Sequence, residues 1–407
     1  MRRVLLLTYH FPPSAASGSF RLLGFAQHLP QFGWDTLVVA PPALPWEPVD
    51  ESLNQRVPSG TVVHRVPYPS RLPKAVRWLA PQAVWLPYAR AATRQVIRAF
   101  SPNAVLTSGP PHWIHLLGRD ARQEFGLPWI ADFRDPWITA AFQLQLSSWQ
   151  KRWQKLWERR VLAQADLVLA NTRRAGEALQ AACPALAGKI HWLTNGFDPE
   201  SFPVDSARPR RTGPMRILHA GELYVGRDPR PLLDAVRTLA ADKTPEFRVE
   251  FLGRVEYSPG ADLMSDARQR GVEPWIAVRG QVSYEQTLRE MCAADILLLM
   301  DTPGRVMGVP AKLFEYLGAA RPILAMGEPD GDLAIILQAS GVPYRIAPPN
   351  DVAAIREALI SLLQMIVREP RNAVVSAARL RFSRNRIAEH LAAMLTNTTV
   401  QYEGKRQ

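Results

Sequence analysis

The stretch Asp295-Ile-Leu-Leu-Leu-Met-Asp-Thr-Pro-Gly-Arg-Val-Met-Gly-Val-Pro-Ala-Lys-Leu-Phe-Glu-Tyr-Leu-Gly-Ala-Ala-Arg-Pro-Ile-Leu-Ala-Met326 carries the pattern that decides the fold. An apolar run at 295–300 leads into a glycine- and proline-bearing loop. A helix opened by Gly308 and Pro310 follows, then a second apolar run at 322–326. Both runs are apolar throughout instead of alternating, as strands covered on both faces should be. Strand, helix and strand in that order imply a parallel pair joined by a right-handed crossover.

The same rhythm fills the chain. The first half holds candidate strands at 4–9, 36–40, 62–66, 104–108, 128–132, 167–170 and 190–193. The second half adds 216–220, 248–253, 277–281 and 344–347. The pattern breaks at 195–214, which is rich in Pro, Asp, Ser and Arg and lacks periodicity. This predicts an α/β protein of two Rossmann-like, doubly wound parallel-sheet domains facing a cleft: residues 1–198, a linker 199–214, residues 215–380, and a last helix within 381–407 that packs back on the first domain. Ligands in such sheets bind beyond the carboxyl ends of the strands.

The bulk numbers agree with two domains. The 407 residues exceed the roughly one hundred to two hundred of a single domain. Cys183 and Cys292 stand far apart with no CxxC, which argues against a disulfide framework and for a reducing, cytoplasmic setting. The opening MRRVLLLTYHFPP imitates a signal peptide, but its apolar run is short and His10 and two prolines follow, so it reads as a first strand. No window approaches the ~18 apolar residues of a membrane span. Net charge is +12, and residues 1–200 hold 22 Lys and Arg against 13 acidic residues. Between Glu51 and Asp120 lie nine basic residues and no acid, a bias that attracts phosphates, anionic lipid or nucleic acid. No nucleic-acid motif accompanies it.

Four segments could carry chemistry. The loop Phe11–Arg21 follows the first strand, is built of small residues, and reaches Gly18 just before an amphipathic helix. It reads as an anion site made of free backbone N–H groups and the helix dipole, or as an ordinary strand-to-helix turn. It lacks the spacing of a dinucleotide or P-loop fingerprint. The segment Ala131-Asp-Phe-Arg-Asp-Pro-Trp137 ends another strand, and its Asp132, Arg134 and Asp135 can orient hydroxyls or accept a proton, with Trp137 offering a face to sugar. A salt-bridged strand end is the plain alternative. His112, after Ser108-Gly-Pro-Pro, can reach the same place, and neither it nor His115 has zinc-site spacing. In the second half, His219-Ala-Gly-Glu-Leu-Tyr-Val-Gly-Arg-Asp228 puts Gly221 at a strand end and Arg227 in the loop after it, and arginine suits phosphate. Finally, Lys312 and Glu315 share a helix face one turn in. Lys312 opposes the helix dipole unless an anion lies there, while Glu315 can accept two ribose hydroxyls.

At these residues the chain resembles glycosyltransferase family four, whose fold is GT-B. The likeness runs over nearly the whole sequence, through YHFPPSAASGSFR, TSGPPH, DFRDPW, HAGELYVGRDP, FLGR and VPAKLFEYLGAARPILA. It implies retaining transfer from a nucleotide-diphosphate sugar, with no further cofactor. It places Glu315 as the second glutamate of an E-x7-E pair that holds the donor ribose, and the first is replaced by Met307. Arg227 and Lys312 resemble the cationic pair at the diphosphate. Glu222 stands where many members have arginine. Gly18 matches a glycine facing the donor phosphates, Arg254 and Val282 fall at the nucleotide pocket, and Gly221, Gly308 and Val309 complete the donor set. His112, Asp132, Arg134 and Asp135 fall in the acceptor-side catalytic segment. The likeness is closest to members that build polysaccharides or lipid-linked glycans, so the acceptor is expected to be a glycan or a polyprenyl lipid. A nucleotide-sugar epimerase of the same fold and a non-catalytic homologue are the alternatives. Asp330-Gly-Asp332 reads as turn chemistry, and no metal site is expected.

Residues 147–162, SSWQKRWQKLWERRVL, place Trp149, Trp153 and Trp157 on one helical face and Arg152, Lys155 and Arg159 on another. Tryptophan flanked by basic residues suits a helix lying on anionic lipid. The acid-free stretch adds Trp78, Leu79, Trp85 and Leu86 among Arg71, Lys74, Arg77 and Arg90. The protein is therefore expected to be peripheral on the inner membrane, the competing reading being that these tryptophans are core.

Overall fold

The computed structural model describes residues 1–43, 47–68, 81–138, 146–203, 213–240, 246–368 and 377–404. The chain forms two compact units, Met1–Asn195 with Arg384–Gln407, and Gly196–Ser383. Residues 196–203 belong to the second unit, where the Phe197 N–H donates to the Phe382 carbonyl and Phe197 meets Phe202 edge-on. Much of the proposed linker, residues 204–212, lies outside the described residues.

In the first unit, β1 (Arg2–Thr8), β2 (Trp34–Ala40), β3 (Val62–Arg65), β4 (Ala104–Gly109), β5 (Trp129–Phe133), β6 (Leu167–Ala170) and β7 (Ile190–Trp192) form one parallel sheet. Its order is β3-β2-β1-β4-β5-β6-β7. Central strands β4, β5 and β6 are buried at every position, and edge strands β3 and β7 keep exposed residues. That is why the central strands read as unbroken apolar runs. The helix Arg384–Gly404 packs in this unit, with Ile387, Leu391 and Leu395 joining Leu22, Phe25 and Trp34 in one core. The Trp34 indole donates to the Thr396 hydroxyl at 3.2 Å.

The second unit holds β8 (Met215–Ala220), β10 (Phe247–Leu252), β12 (Ile276–Arg279), β13 (Ile296–Met300), β14 (Ile323–Met326) and β15 (Tyr344–Ala347). They are parallel in the order β12-β10-β8-β13-β14-β15. Every strand expected from the sequence is present in one sheet or the other. A small parallel pairing of β9 (Leu223–Tyr224) with β11 (Val255–Glu256) has no counterpart in the sequence pattern, because its strands are only two residues long. Both sheets reverse their winding beside the first strand, at β1/β4 and at β8/β13. The carboxyl ends of those strands are where such sheets open a crevice.

Candidate active site

The second unit gathers its chemistry at the ends of β8 and β13. β8 stops at Gly221, whose φ of 119° is open to glycine but not to side-chain-bearing residues. A β-carbon built there would fall on the Lys312 side chain, so the lysine stem crosses directly over the Gly221 backbone. Tyr316 sets this register. Its buried hydroxyl accepts from the Ala220 N–H at 2.9 Å and donates to the Leu298 carbonyl at 3.0 Å, tying the helix Lys312–Ala319 to both strand ends.

The cations at this place are poorly satisfied. Arg227 is 4% exposed, stacks over the Tyr224 ring at 4.2 Å, and its guanidinium makes no hydrogen bond among the described residues. Burial pushes its pKa down. Lys312 is half-buried, and its ammonium also has no hydrogen-bond partner among the described residues. Burial lowers its pKa first, and Arg227 adds to the effect against the pull of Glu315 and Glu222. Lys312 and Glu315 form no ion pair, so the simple surface-pair reading fails. The Glu315 carboxylate likewise makes no hydrogen bond among the described residues. Buried His219 donates its Nδ1–H to the Leu298 carbonyl, 2.9 Å away, and its Nε2 is unpartnered. Its pKa is pushed down to about 3 by burial and then by Lys312, which fixes it as a neutral ring. A buried charged group without partners costs more than the ~1–3 kcal/mol of a neutral one. Two like charges left so are a standing demand for an anion.

The loop after β13 is fixed. Asp301 accepts from the Thr302 N–H at 2.8 Å and pairs with Arg305 at 3.2 Å, while its other carboxylate oxygen is buried without a partner. The Gly304 N–H donates to Glu328 at 2.7 Å and the Gly308 N–H to Asp332 at 2.9 Å. Asp332 is thus committed to holding the loop. At Met307, where the family likeness leads one to expect a carboxylate, the backbone carbonyl accepts from Arg305 Nε at 3.3 Å. Val309 departs from its expected ligand contact: its side chain is buried in the apolar core of the unit. Arg254 is exposed and paired with Glu256 at 3.2 Å, and Val282 is half-buried. Both follow strands of the same sheet edge, β10 and β12.

The first unit treats its charges differently. Asp132 is fully buried, and Arg21 grips both of its oxygens at 2.9 and 2.8 Å. Ser108 donates a third bond at 2.7 Å. The remaining Arg21 donors reach the Leu193 and Thr194 carbonyls, each at 2.8 Å. Asp132 was expected to face substrate; it is instead a closed cross-link between β5, β4 and the helix Ser17–His28. Arg134 is held by the Gly109 and Pro110 carbonyls, and its guanidinium lies where a β-carbon on Gly18 would stand. The close approach at Gly18 is therefore to Arg134, and the buried Ser19 hydroxyl beside it has no partner. Asp135 is half-buried and makes no hydrogen bond among the described residues.

His112 is buried with Nδ1 unpartnered, stacked on Trp137 at 5.2 Å and on Phe133 at 5.5 Å. Burial, then His115 and Arg134, hold its pKa well below 6.5. Trp137 is 3% exposed between His112 and Trp113, so the sugar-facing surface expected of it is not available. The structure thus brings His112, Arg134 and Asp135 to one strand edge and removes Asp132 and Trp137 from ligand reach. Sequence reasoning overlooked Asp301, Tyr316 and Arg21. Asp301 had a signal, a lone acid directly after the LLLM run.

On the basic surface, Trp149 and Trp153 are 67% and 46% exposed, and Trp157 is half-buried. Trp85, in contrast, is core: it is 1% exposed and donates to the Val66 carbonyl. Arg90 is neutralised by Asp120 at 2.7 Å. Arg71, Lys74, Arg77, Trp78 and Leu79 lie outside the described residues. Among the described residues no helix is long and apolar enough to cross a membrane.

Residues 19–196 match the family model described as glycosyl transferase 4-like domain, and residues 214–365 match that described as glycosyl transferases group 1. No curated protein matches the sequence. Among solved structures, the chain is similar to the Anabaena protein HepE in complex with UDP, with TM-score 0.67, 16% identity, and 98% of this chain and 100% of that one covered. It is similar to sucrose-phosphate synthase of Thermosynechococcus elongatus, with TM-score 0.66, 17% identity, and 98% and 100% covered. A Listeria monocytogenes protein described as a UDP-N-acetylglucosamine 2-epimerase has TM-score 0.61, 12% identity, and 98% and 97% covered. At such identities these likenesses speak to the fold, which transferases and an epimerase share.

Proposed function

The chain belongs to the family-four glycosyltransferases, which use nucleotide sugars, and on that premise we propose that it transfers a hexosyl group with retention to a glycan or polyprenyl-linked acceptor. The observation that carries the donor half is the pair of unpartnered cations, Arg227 and Lys312, at the carboxyl ends of β8 and β13.

In this reading the donor's pyrophosphate lies between Arg227, Lys312 and the start of the helix Lys312–Ala319. Glycosyl transfer breaks the bond from the sugar's anomeric carbon to the diphosphate oxygen, and negative charge develops on that oxygen. Fixed cations and helix N–H groups stabilise it without reorganising. These side chains supply the charge that the leaving group needs, so the reaction calls for no metal ion. Glu315, with both oxygens unengaged, accepts the ribose hydroxyls. The acceptor half is His112, Arg134 and Asp135: neutral His112 holds a sugar hydroxyl at Nδ1, and Asp135 accepts beside the Arg134 guanidinium. Met307 contributes no carboxylate, so donor-sugar contacts fall to the Gly304–Gly308 loop. The exposed Trp149 and Trp153 favour work at the inner face of a membrane, in the cytoplasm.

The test is a titration of the purified protein with UDP, GDP, ADP and their sugars, followed by single turnover in the presence of membrane extract. UDP leads the panel because HepE was solved with it. Stabilisation by one nucleoside diphosphate, lost on Lys312→Met, is the expected result. Protein that binds none of them has another function.

A further inference from the structure

The helix Ser148–Gln164 borders a cavity of about 310 Å³ lined by Ile138, Lys151, Arg152, Lys155, Glu158, Arg159 and Ala182. That volume sits at the lower end of the roughly 300–1,000 Å³ of small-ligand sites. Four of the residues are cations. Elsewhere the chain pairs its arginines closely: Arg94 with Glu124, Arg122 with Asp166, Arg216 with Glu250 and Glu290. Here, among the described residues, none of the four side chains makes a hydrogen bond or a contact ion pair. The single acid, Glu158, is buried, and one of its oxygens is taken by the Trp137 and Ile138 N–H groups at 2.9 and 3.2 Å. The walls hold a net charge of three positives around an apolar floor.

The helix sorts its faces. Glu158, Val161 and Leu162 are buried, and Trp149, Trp153 and Leu156 are exposed. The basic residues at 151, 152, 155 and 159 run between these two faces at helical spacing. An anion in the cavity would therefore stand beside a strip of exposed tryptophan and leucine, the arrangement of an interface with headgroups above acyl chains.

We propose that this cavity is a headgroup pocket that takes the phosphodiester of an anionic membrane lipid. The proposal deepens the membrane reading given above and rests on it. Lys151, Arg152, Lys155 and Arg159 surround the phosphate, and Trp149 and Trp153 enter the bilayer boundary next to it. Trp153 meets Trp113, and Trp113 meets Trp137, both with ring centroids 4.9 Å apart, so the pocket's helix is packed directly against the segment that carries His112.

The experiment is flotation of the full chain with vesicles of phosphatidylcholine alone, or of phosphatidylcholine with phosphatidylglycerol. Wild type should float with the anionic vesicles only. Lys151→Gln with Lys155→Gln should bind about thirtyfold more weakly, at about fivefold per cation near a charged surface. A control of equal charge change, Arg248→Gln with Arg381→Gln, should bind as wild type does. Circular dichroism and a thermal melt of every variant report that the first unit remains folded, and UDP titration reports that the donor half is intact. Equal losses in both double variants would mean diffuse charge and overturn the pocket, as would undiminished binding of the Lys151, Lys155 variant. Displacement of wild type from vesicles by free glycerol phosphate, at matched phosphate concentration, would assign the cavity to a soluble anion and overturn the lipid. Absence of wild-type binding to either vesicle removes the membrane reading itself, whatever the UDP titration shows.

Discussion

Replacing Lys312 by methionine should weaken the nucleotide and yet leave the ligand-free protein as stable as before, or more so. The lysine stem crosses Gly221, and methionine can keep that packing. What disappears is an ammonium with no hydrogen-bond partner among the described residues, set near Arg227. Hydrogen bonds to charged groups contribute about 1.5–3 kcal/mol, so losing the phosphate contact should raise Kd about 10- to 150-fold. At a UDP concentration one hundred times the wild-type Kd, binding stabilises wild type by about 2.7 kcal/mol. A variant weakened a hundredfold gains only about 0.4 kcal/mol there. At about 2–4 °C per kcal/mol for a unit of this size, a thermal shift of about 5–10 °C falls to about 1 °C. The pH dependence gives a second readout. Folding lowers the ammonium's pKa, so between its folded value and 10.5 the unfolded chain binds more protons. Stability of ligand-free wild type should rise with pH through that window, and the penalty should be fully present below it. Lys312→Met should lack this rise. A Lys312→Met protein with the wild-type UDP shift would refute the assignment of this lysine to the diphosphate.

Three other outcomes follow from the geometry. Glu315→Ala should weaken UDP binding in calorimetry but leave inorganic pyrophosphate binding unchanged, whereas Lys312→Met weakens both; equal losses of pyrophosphate in the two variants would take Glu315 off the ribose. Asp132→Asn should destabilise the first unit by about 3–5 kcal/mol, because it strands a buried arginine, while UDP binding by the second unit persists. A stable but inactive Asp132→Asn protein would return that carboxylate to the chemistry. Because His112 is held neutral well below pH 6.5, the profile of kcat/KM should show no inflection from it between about pH 6 and 8, and His112→Gln should retain more activity than His112→Phe. An inflection near 6.5 that vanishes in His112→Gln would contradict this.

The sheets were legible because their strands are buried on both faces, which writes an apolar run into the sequence whatever the neighbours are. The small β9–β11 pairing was not, since two-residue strands carry no periodicity. At the donor half, the spacing of Lys312 and Glu315 on one helix turn was enough to place them together, and Gly221 could be read as a strand end. The tyrosine that fixes their register gave no signal. Tyr316 lies on the buried face among Leu313, Phe314 and Leu317, where an aromatic residue looks like core, and only the two carbonyl and amide partners reveal its hydroxyl as an anchor. Trp85 shows the converse: among basic residues it reads as an interface tryptophan, and its indole N–H is spent on Val66 inside the fold.

What sequence cannot supply is the satisfaction of each charge, and here that separates scaffold from site. Arg21 and Arg227 are both nearly inaccessible arginines that follow the first strand of their own sheet. Arg21 has a carboxylate on its fork and three oxygens on its remaining donors, so its burial is compensated and a ligand could add nothing. Arg227 has a tyrosine face and no acceptor among the described residues, so its burial is uncompensated until an anion arrives. The same reasoning ranks the two aspartates that end their strands, closed Asp132 against Asp301 with one oxygen still open. The fold tolerates the open pair because the rest of the second unit is densely packed, from Met215 and Phe251 to Leu362 and Leu363. Stability is held in the sheet and its helices, and the unmet demand is confined to the strand ends, where binding can meet it.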